Sequence, residues 1–255
     1  LRDIPLVILS PRRVFARVED VPAWGWPLVI LLTTVTLIGY ATVQTGLIDR
    51  EVERGVRASI AQIDAVQRDV TERSELRELY AQERKMGEFK KLLARMRVIG
   101  AEPATALASV LLIAAVLYGA VALTGHKPEW HTLLTICVLA SFADVMRLLL
   151  TLGLMLHFAT LEVYTSLAPL TRYLVDPAQA SPTTVATIYG SLAAVDPFRL
   201  WFWLLVVIGL KTTAQLRGWR AWVVCTLCFL VASGVRMGLL VASAAVTAGA
   251  GVGTN

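Results

Sequence analysis

Hydrophobic residues in this chain gather in unbroken blocks instead of recurring at helical or strand spacing. A membrane-crossing helix needs roughly 20 mostly apolar residues, and about five blocks reach that length. Residues 26–48 form the first, opened by Trp24, Trp26 and Pro27, which suit an interface and a helix start. Residues 103–123 supply the second, rich in Ala and Leu. The third, 131–161, is longer than one crossing requires, so it tilts, breaks near its middle or continues past the bilayer. Residues 197–216 make the fourth, with Asp196 as N-cap, Pro197 at the first helical position, and Trp201 and Trp203 in an aromatic belt. The fifth covers 221–246, and the Gly-rich end, 249–255, reads as a frayed tail.

The polar stretch between the first two blocks has a pattern of its own. Ile48, Val52, Val56, Ile60 and Ile63 recur at three and four residues, carrying the first span onward as an amphipathic helix. A polar break follows at 69–74. Leu76, Leu79, Met86, Phe89, Leu93 and Met96 then line a second stripe, which Gly100 and Pro103 are expected to end. Two such helices fold back most economically as an antiparallel hairpin, standing roughly 30–40 Å off the membrane. An exposed stripe there needs a protein partner or a second copy to cover it.

Ahead of the first block, Ser10 and Pro11 open a short helix with Val14, Phe15 and Val18 on one side. Arg12, Arg13 and Arg17 can reach lipid headgroups from it. It reads as an interfacial amphipathic helix or as a basic tail that only sets topology. The expected fold is an all-α membrane protein of about five transmembrane helices, with an extramembrane helical hairpin between the first and second. Its regions are an interfacial segment at 1–25, a membrane domain at 26–48 and 103–246, and the hairpin at 49–102.

Composition supports that class. The 255 residues are 56% hydrophobic and 17% charged, with a mean hydropathy of +0.64; a soluble domain carries about a quarter charged residues. A net charge of +5 fits cytoplasmic loops facing anionic lipid, so nucleic acid is not an expected partner. With the N-terminus inside, the inner segments receive Arg2, Arg12, Arg13, Arg17, Lys127, Lys211, Arg217 and Arg220. The short outer segments receive only Arg172 and Arg199, which predicts N-in, C-out and places the hairpin outside. No cleavable signal peptide is evident: the stretch at 4–9 is short, contains Pro5 and lacks a small-residue cleavage site.

Three ionisable side chains fall at mid-span depth, Asp144 and Arg147 in the third block and Arg236 in the fifth. Charge in lipid is costly, so such residues pair or face water. Asp144 is expected to bridge Arg147 and Arg236, as an interhelical clamp or as a polar site for a proton, an anion or a substrate. His126, Glu129 and His131 lie close together, but Pro128 interrupts them and no fourth ligand is near, so no metal is expected. Cys225 and Cys228 form a C-x-x-C among Val, Leu and Phe and read as packing residues; with Cys137 they give no disulfide framework. Hydrolase signatures, a Walker loop and G-x-G-x-x-G are all missing. Neither enzyme activity nor a cofactor is expected.

Two segments carry a family resemblance. S-P-R-R-V-F-A-R-V-E-D-V-P-A-W-G-W-P-L-V-I, from Ser10 to Ile30, resembles the N-terminal signature of bacterial YIP-family (Ypt/Rab-interacting protein) membrane proteins. D-P-F-R-L-W-F-W-L-L-V-V-I-G-L, from Asp196 to Leu210, is similar to that family's penultimate span. The resemblance implies a five-helix protein, N-in and C-out, without catalytic residues. Eukaryotic relatives bind Rab-type GTPases; bacterial ones are linked with ABC exporters and their periplasmic adaptors. With little sequence ahead of the first span, GTPase binding is not expected to carry over. Asp144 and the charged 49–102 insertion fall outside the family pattern.

The expectation is a non-catalytic partner subunit of a bacterial envelope assembly in the inner (cytoplasmic) membrane. It would be associated with an ABC-type exporter, and its hairpin would dock a permease, an adaptor or a second copy. A small transporter or lipid- or ion-handling protein using Asp144, Arg147 and Arg236, and a self-associating membrane-shaping scaffold, are the alternatives.

Overall fold

The computed structural model describes residues 6–7, 9–20, 23–67, 73–161, 163, 165–174, 182–213, 216 and 218–250. All regular structure among these residues is helical, so backbone polar groups are satisfied within each segment, as hydrocarbon demands. The helices are α1 (Pro11–Asp20), α2 (Gly25–Gln44), α3 (Leu47–Gln67), α4 (Arg73–Met96), α5 (Glu102–Leu123), α6 (Trp130–Ala140), α7 (Phe142–Phe158), α8 (Thr171–Leu174), α9 (Pro182–Ala194), α10 (Pro197–Thr212) and α11 (Arg220–Ala250). Among the described residues, three continuous helices are long and apolar enough to cross a membrane: Gly25–Gln44, Leu76–Leu123 and Trp130–Phe158. Counting the pair Thr187–Ala193 and Pro197–Thr212, bent by 55°, as one broken span brings the number to four.

Chain contacts divide the protein into two compact units. One comprises Leu1–Leu31, Ala108–Thr151 and Tyr164–Asn255, the other Leu32–Leu107 and Leu152–Val163.

In the second unit, α2 ends earlier than its apolar pattern, at Gln44. Gly46 has φ of +67°, a left-handed conformation that favours glycine. The Thr45 hydroxyl donates to the Thr42 carbonyl at 2.7 Å and accepts from the Leu47 amide at 3.2 Å, closing the turn. Beyond it α3 packs against α4. Asp49 meets Arg95, Glu53 meets Lys91, Val56 faces Gly87 and Asp64 meets Tyr80. Partners rise along one helix as they fall along the other, so the two lie antiparallel. The expected polar break at 69–74 falls largely outside the described residues.

Gly100 and Pro103 do not end the helix, contrary to the sequence expectation. A five-residue π turn, Arg97–Ala101, joins α4 to α5, and the Glu102 amide donates back to the Arg97 carbonyl. Proline lacks an N–H and its ring clashes with the carbonyl four residues earlier. The extra residue of a π turn alters the ladder just before Pro103, and the helix runs unbroken from Leu76 to Leu123. Gly39 of α2 lies so near this junction that a Cβ there would sit 2.6 Å from the Val98 carbonyl oxygen.

In the first unit, α6 is the central element, with every residue from Thr132 to Ala140 buried. A helix apolar on all sides belongs inside a bundle. Two hydroxyls along it are satisfied on the helix backbone: Thr135 donates to the His131 carbonyl at 2.7 Å and Ser141 to the Cys137 carbonyl at 2.8 Å. Ser141 stands between α6 and α7, yet its amide donates to the Cys137 carbonyl and its carbonyl accepts from the Val145 amide, so the third span continues as one helix from Trp130 to Phe158. Helix α10 packs on α6, α1 and α11. It approaches α6 where a Cβ at Gly209 would meet Ile136 Cγ2 at 2.6 Å.

Helix α1 corrects one expectation. Val14, Phe15 and Val18 are buried, and the helix packs on α10 and α6. Its apolar face is covered by protein, so it is not the lipid-inserted face of an interfacial helix. Residues 182–194, which fall between the third and fourth apolar blocks, form α9, which packs on α11. The fourth apolar block is shorter than expected: α10 ends at Thr212, where Thr213 donates to the Gly209 carbonyl at 2.9 Å.

Candidate interaction site

The second unit contains the paired amphipathic helices α3 and α4. Ion pairs cross the α3–α4 seam, and Val52, Val56, Ile60 and Ile63 of α3 are half-buried. Lys91 Nζ lies 3.0 Å from Glu53 Oε1 and 3.1 Å from Glu88 Oε1, and Arg95 Nη2 lies 2.6 Å from Asp49 Oδ2. Hydrogen bonds to Glu53 and then Glu88 hold the Lys91 pKa above its ordinary value; the hydrogen bond to Asp49 does the same for Arg95. At Gly87 the absence of a side chain lets Val56 approach the α4 backbone.

The apolar stripe of α4 is divided by this packing. Leu76 and Leu79 are half-buried. Met86, Phe89, Leu93 and Met96 are exposed, Phe89 by 53% and Met96 by 62%, and Leu92 joins them. At 100° per residue, Gly87, Lys91 and Ala94 point toward α3, while Phe89 and Met96 point almost directly away. A shallow depression lined by Glu78, Ala81, Gln82, Lys85 and Met86 continues the same face. The sequence identified the stripe but not the seam. The alternation of Asp49 and Glu53 with Lys91 and Arg95, spaced one turn apart on each helix, was the available signal.

In the first unit, Asp144 and Arg147 form the expected intrahelical pair, Oδ1 to Nε 3.4 Å. They lie near the middle of the 29-residue helix Trp130–Phe158. Neither is buried: the Asp144 side chain is 48% exposed and that of Arg147 38%. Arg236 lies on α11, and its side chain is outside the described set, so the expected bridge to Asp144 is too. Arg12, Arg13 and Arg17 all point outward from α1.

Other sequence candidates have ordinary roles. The Thr124 hydroxyl and His126 Nδ1 share a hydrogen bond of 3.1 Å, and Glu129 Oε2 accepts from the Thr132 hydroxyl at 3.0 Å. Cys137, Cys225 and Cys228 are buried free thiols. Among the described residues no group of three His, Cys, Asp or Glu is placed to hold a metal. Asp196 is a buried N-cap: Oδ1 accepts from the Phe198 amide at 2.8 Å and Oδ2 from the Thr165 hydroxyl at 2.7 Å.

Long apolar helices, hydroxyls folded back on their own helices and an all-helical chain define an integral membrane protein of the helical class. Residues 6–240 match the family described as the Yip1 domain, and the chain belongs to that family. No curated protein and no solved structure matches it significantly.

Proposed function

We propose that this protein is a non-catalytic partner subunit of a bacterial envelope assembly, associated with an ABC-type exporter and its adaptor. The exposed apolar face of α4 carries this reading. Large apolar side chains in a row on an otherwise polar helix mark an interaction surface. In the proposed arrangement five helices cross the inner membrane, the N-terminus is cytoplasmic and the C-terminus outside. The α3–α4 pair forms an extracytoplasmic hairpin that docks the partner, and Arg12, Arg13 and Arg17 meet lipid headgroups.

Affinity purification from native membranes in mild detergent tests the assembly: an ABC permease or adaptor should co-purify, and a clean monomer would count against it. Topology is tested separately with single-cysteine variants and a membrane-impermeant maleimide. Arg57→Cys, at a side chain 80% exposed on α3, should label from outside, and Arg12→Cys only after permeabilisation.

The Asp144–Arg147 pair favours a second reading, a small transporter or lipid- or ion-handling protein. A half-exposed ion pair at mid-span depth calls for water, a ligand or another polar group beside it. Water accessibility at Asp144→Cys in intact vesicles would support this reading, and its absence would remove it.

A further inference from the structure

The charges bordering the exposed α4 stripe restrict what can cover it. Met86, Phe89, Leu93 and Met96 are spaced three, four and three residues apart, the a and d positions of a coiled-coil seam. In that register Lys85 is at a g position, and Lys90 and Arg97 at e positions; all three are exposed. The only acidic residue between Arg84 and Arg97 is Glu88, which is paired with Lys91. Of the nearby acids on α3, Asp49 and Glu53 are turned into the seam toward Arg95 and Lys91, and Glu51 is paired with Arg54. Between Met86 and Met96 the borders of the stripe are therefore basic.

Lipid is a poor fit for this face. The helix runs continuously from Leu76 to Leu123, and residues 103–123 carry no charge. At 1.5 Å per residue those residues are needed to cross a core about 30 Å thick. Met96 then lies about 10 Å, and Met86 about 25 Å, along the helix beyond Pro103. Headgroup layers extend only about 5–7 Å past the core on each side.

A second copy fits poorly as well. Copies in one membrane share an orientation, so two α4 helices would pair in parallel. A parallel seam brings the g residue of one chain against the next e residue of the other. Here that sets Lys85 beside Lys90 of the second copy, and like charges at such positions oppose pairing.

We infer that the outer face of α4 is one strand of a heterotypic coiled coil, whose partner is a helix of another protein with an apolar a/d seam bordered by Asp or Glu. This rests on the docking role proposed for α4 and adds the chemistry of what docks. The apolar anchors supply the buried contact, and the basic borders select an acidic helix over a basic one.

The test is photo-crosslinking of the full chain in native membranes, with p-benzoylphenylalanine at Phe89 and mass spectrometry of the linked peptide. The expected product joins Phe89 to a helical segment of another protein carrying acidic residues beside its apolar seam. Lys85→Glu, Lys90→Glu and Arg97→Glu together should lower the yield at least about tenfold, and Arg54→Glu on α3 should leave it unchanged. Helicity and melting of the triple variant, measured in detergent, control for folding. Linkage to α4 of a second copy, to lipid or to a segment without acidic borders, or no linkage at all, would overturn the inference. If the linked protein has the acidic seam but no connection with transport, the exporter reading fails and this one stands. Co-purification of an exporter without any Phe89 linkage gives the reverse result.

Discussion

Gly87 and Val56 approach so closely that a Cβ at position 87 would lie 2.7 Å from Val56 Cγ2. Gly87→Ala therefore sets two effects against each other. Helix propensity favours alanine by about 1 kcal/mol. Overpacking against a β-branched side chain with little rotamer freedom costs about 1–3 kcal/mol. The clash should win, lowering the melting temperature, and Val56→Ala in the same chain should reverse the sign. A double-mutant cycle by thermal melting in detergent measures that coupling.

Lys91 predicts a one-sided pH dependence. Its pKa is raised by Glu53 and Glu88 above the ordinary 10.5, so the folded state binds its proton more tightly than the unfolded state. The stabilisation is complete below the unfolded pKa and is lost as pH climbs through the higher folded value. Melting scans between pH 8 and 12 should show the native chain losing stability relative to Lys91→Met above about pH 10.5, with a constant difference below it. A difference that grows toward lower pH would contradict this.

Asp196→Ala removes the cap from α10 and the acceptor of the Thr165 hydroxyl together. The expected loss is about 1–2 kcal/mol. Asp196→Asn keeps an oxygen for the Phe198 amide and should recover most of it. Equal losses in the two variants, read by thermal melting, would show that the charge matters more than the cap.

Asp144→Asn should destabilise the protein in lipid nanodiscs because it leaves the Arg147 charge without its carboxylate at mid-span depth. Asp144→Asn combined with Arg147→Leu removes both charges and should melt above the single variant. The order of the two melting temperatures is the readout, and the opposite order would mean that Arg147 is held by something other than Asp144.

Gly209 offers a parallel test in the first unit. A Cβ there meets Ile136 Cγ2 at 2.6 Å and Cγ1 at 3.1 Å. Gly209→Leu should cost about 1–3 kcal/mol or more by separating α6 from α10, with Ile136→Ala partly restoring stability. Melting that is unchanged in Gly209→Leu would mean that this close approach does not hold the two helices.

Much of the architecture was readable from local pattern. Uninterrupted apolar runs mark long membrane helices because hydrocarbon tolerates only segments that satisfy their own backbone. The Asp196–Pro197 start of α10 is local capping chemistry, and Asp144–Arg147 is an i, i+3 pair on one helix. The stripes of α3 and α4 followed from periodicity alone. What local pattern missed was the continuity at Arg97–Ala101, since a helix-stop signal carries no information about a π turn that absorbs it. It also missed α9, whose 13 residues are too few to cross a membrane alone and whose packing on α11 is long-range.

The sequence by itself determined the membrane class, the family and the presence of two amphipathic stripes outside the apolar blocks. Tertiary structure decided which apolar face is covered. Val14, Phe15 and Val18 of α1 are enclosed by α10 and α6, whereas Phe89 and Met96 of α4 point away from α3. Periodicity fixes that a face exists, because side-chain direction follows the backbone. Its burial depends on contacts between residues far apart in the chain: Gly87 against Val56 and Arg95 against Asp49 turn one side of α4 inward and leave the other exposed.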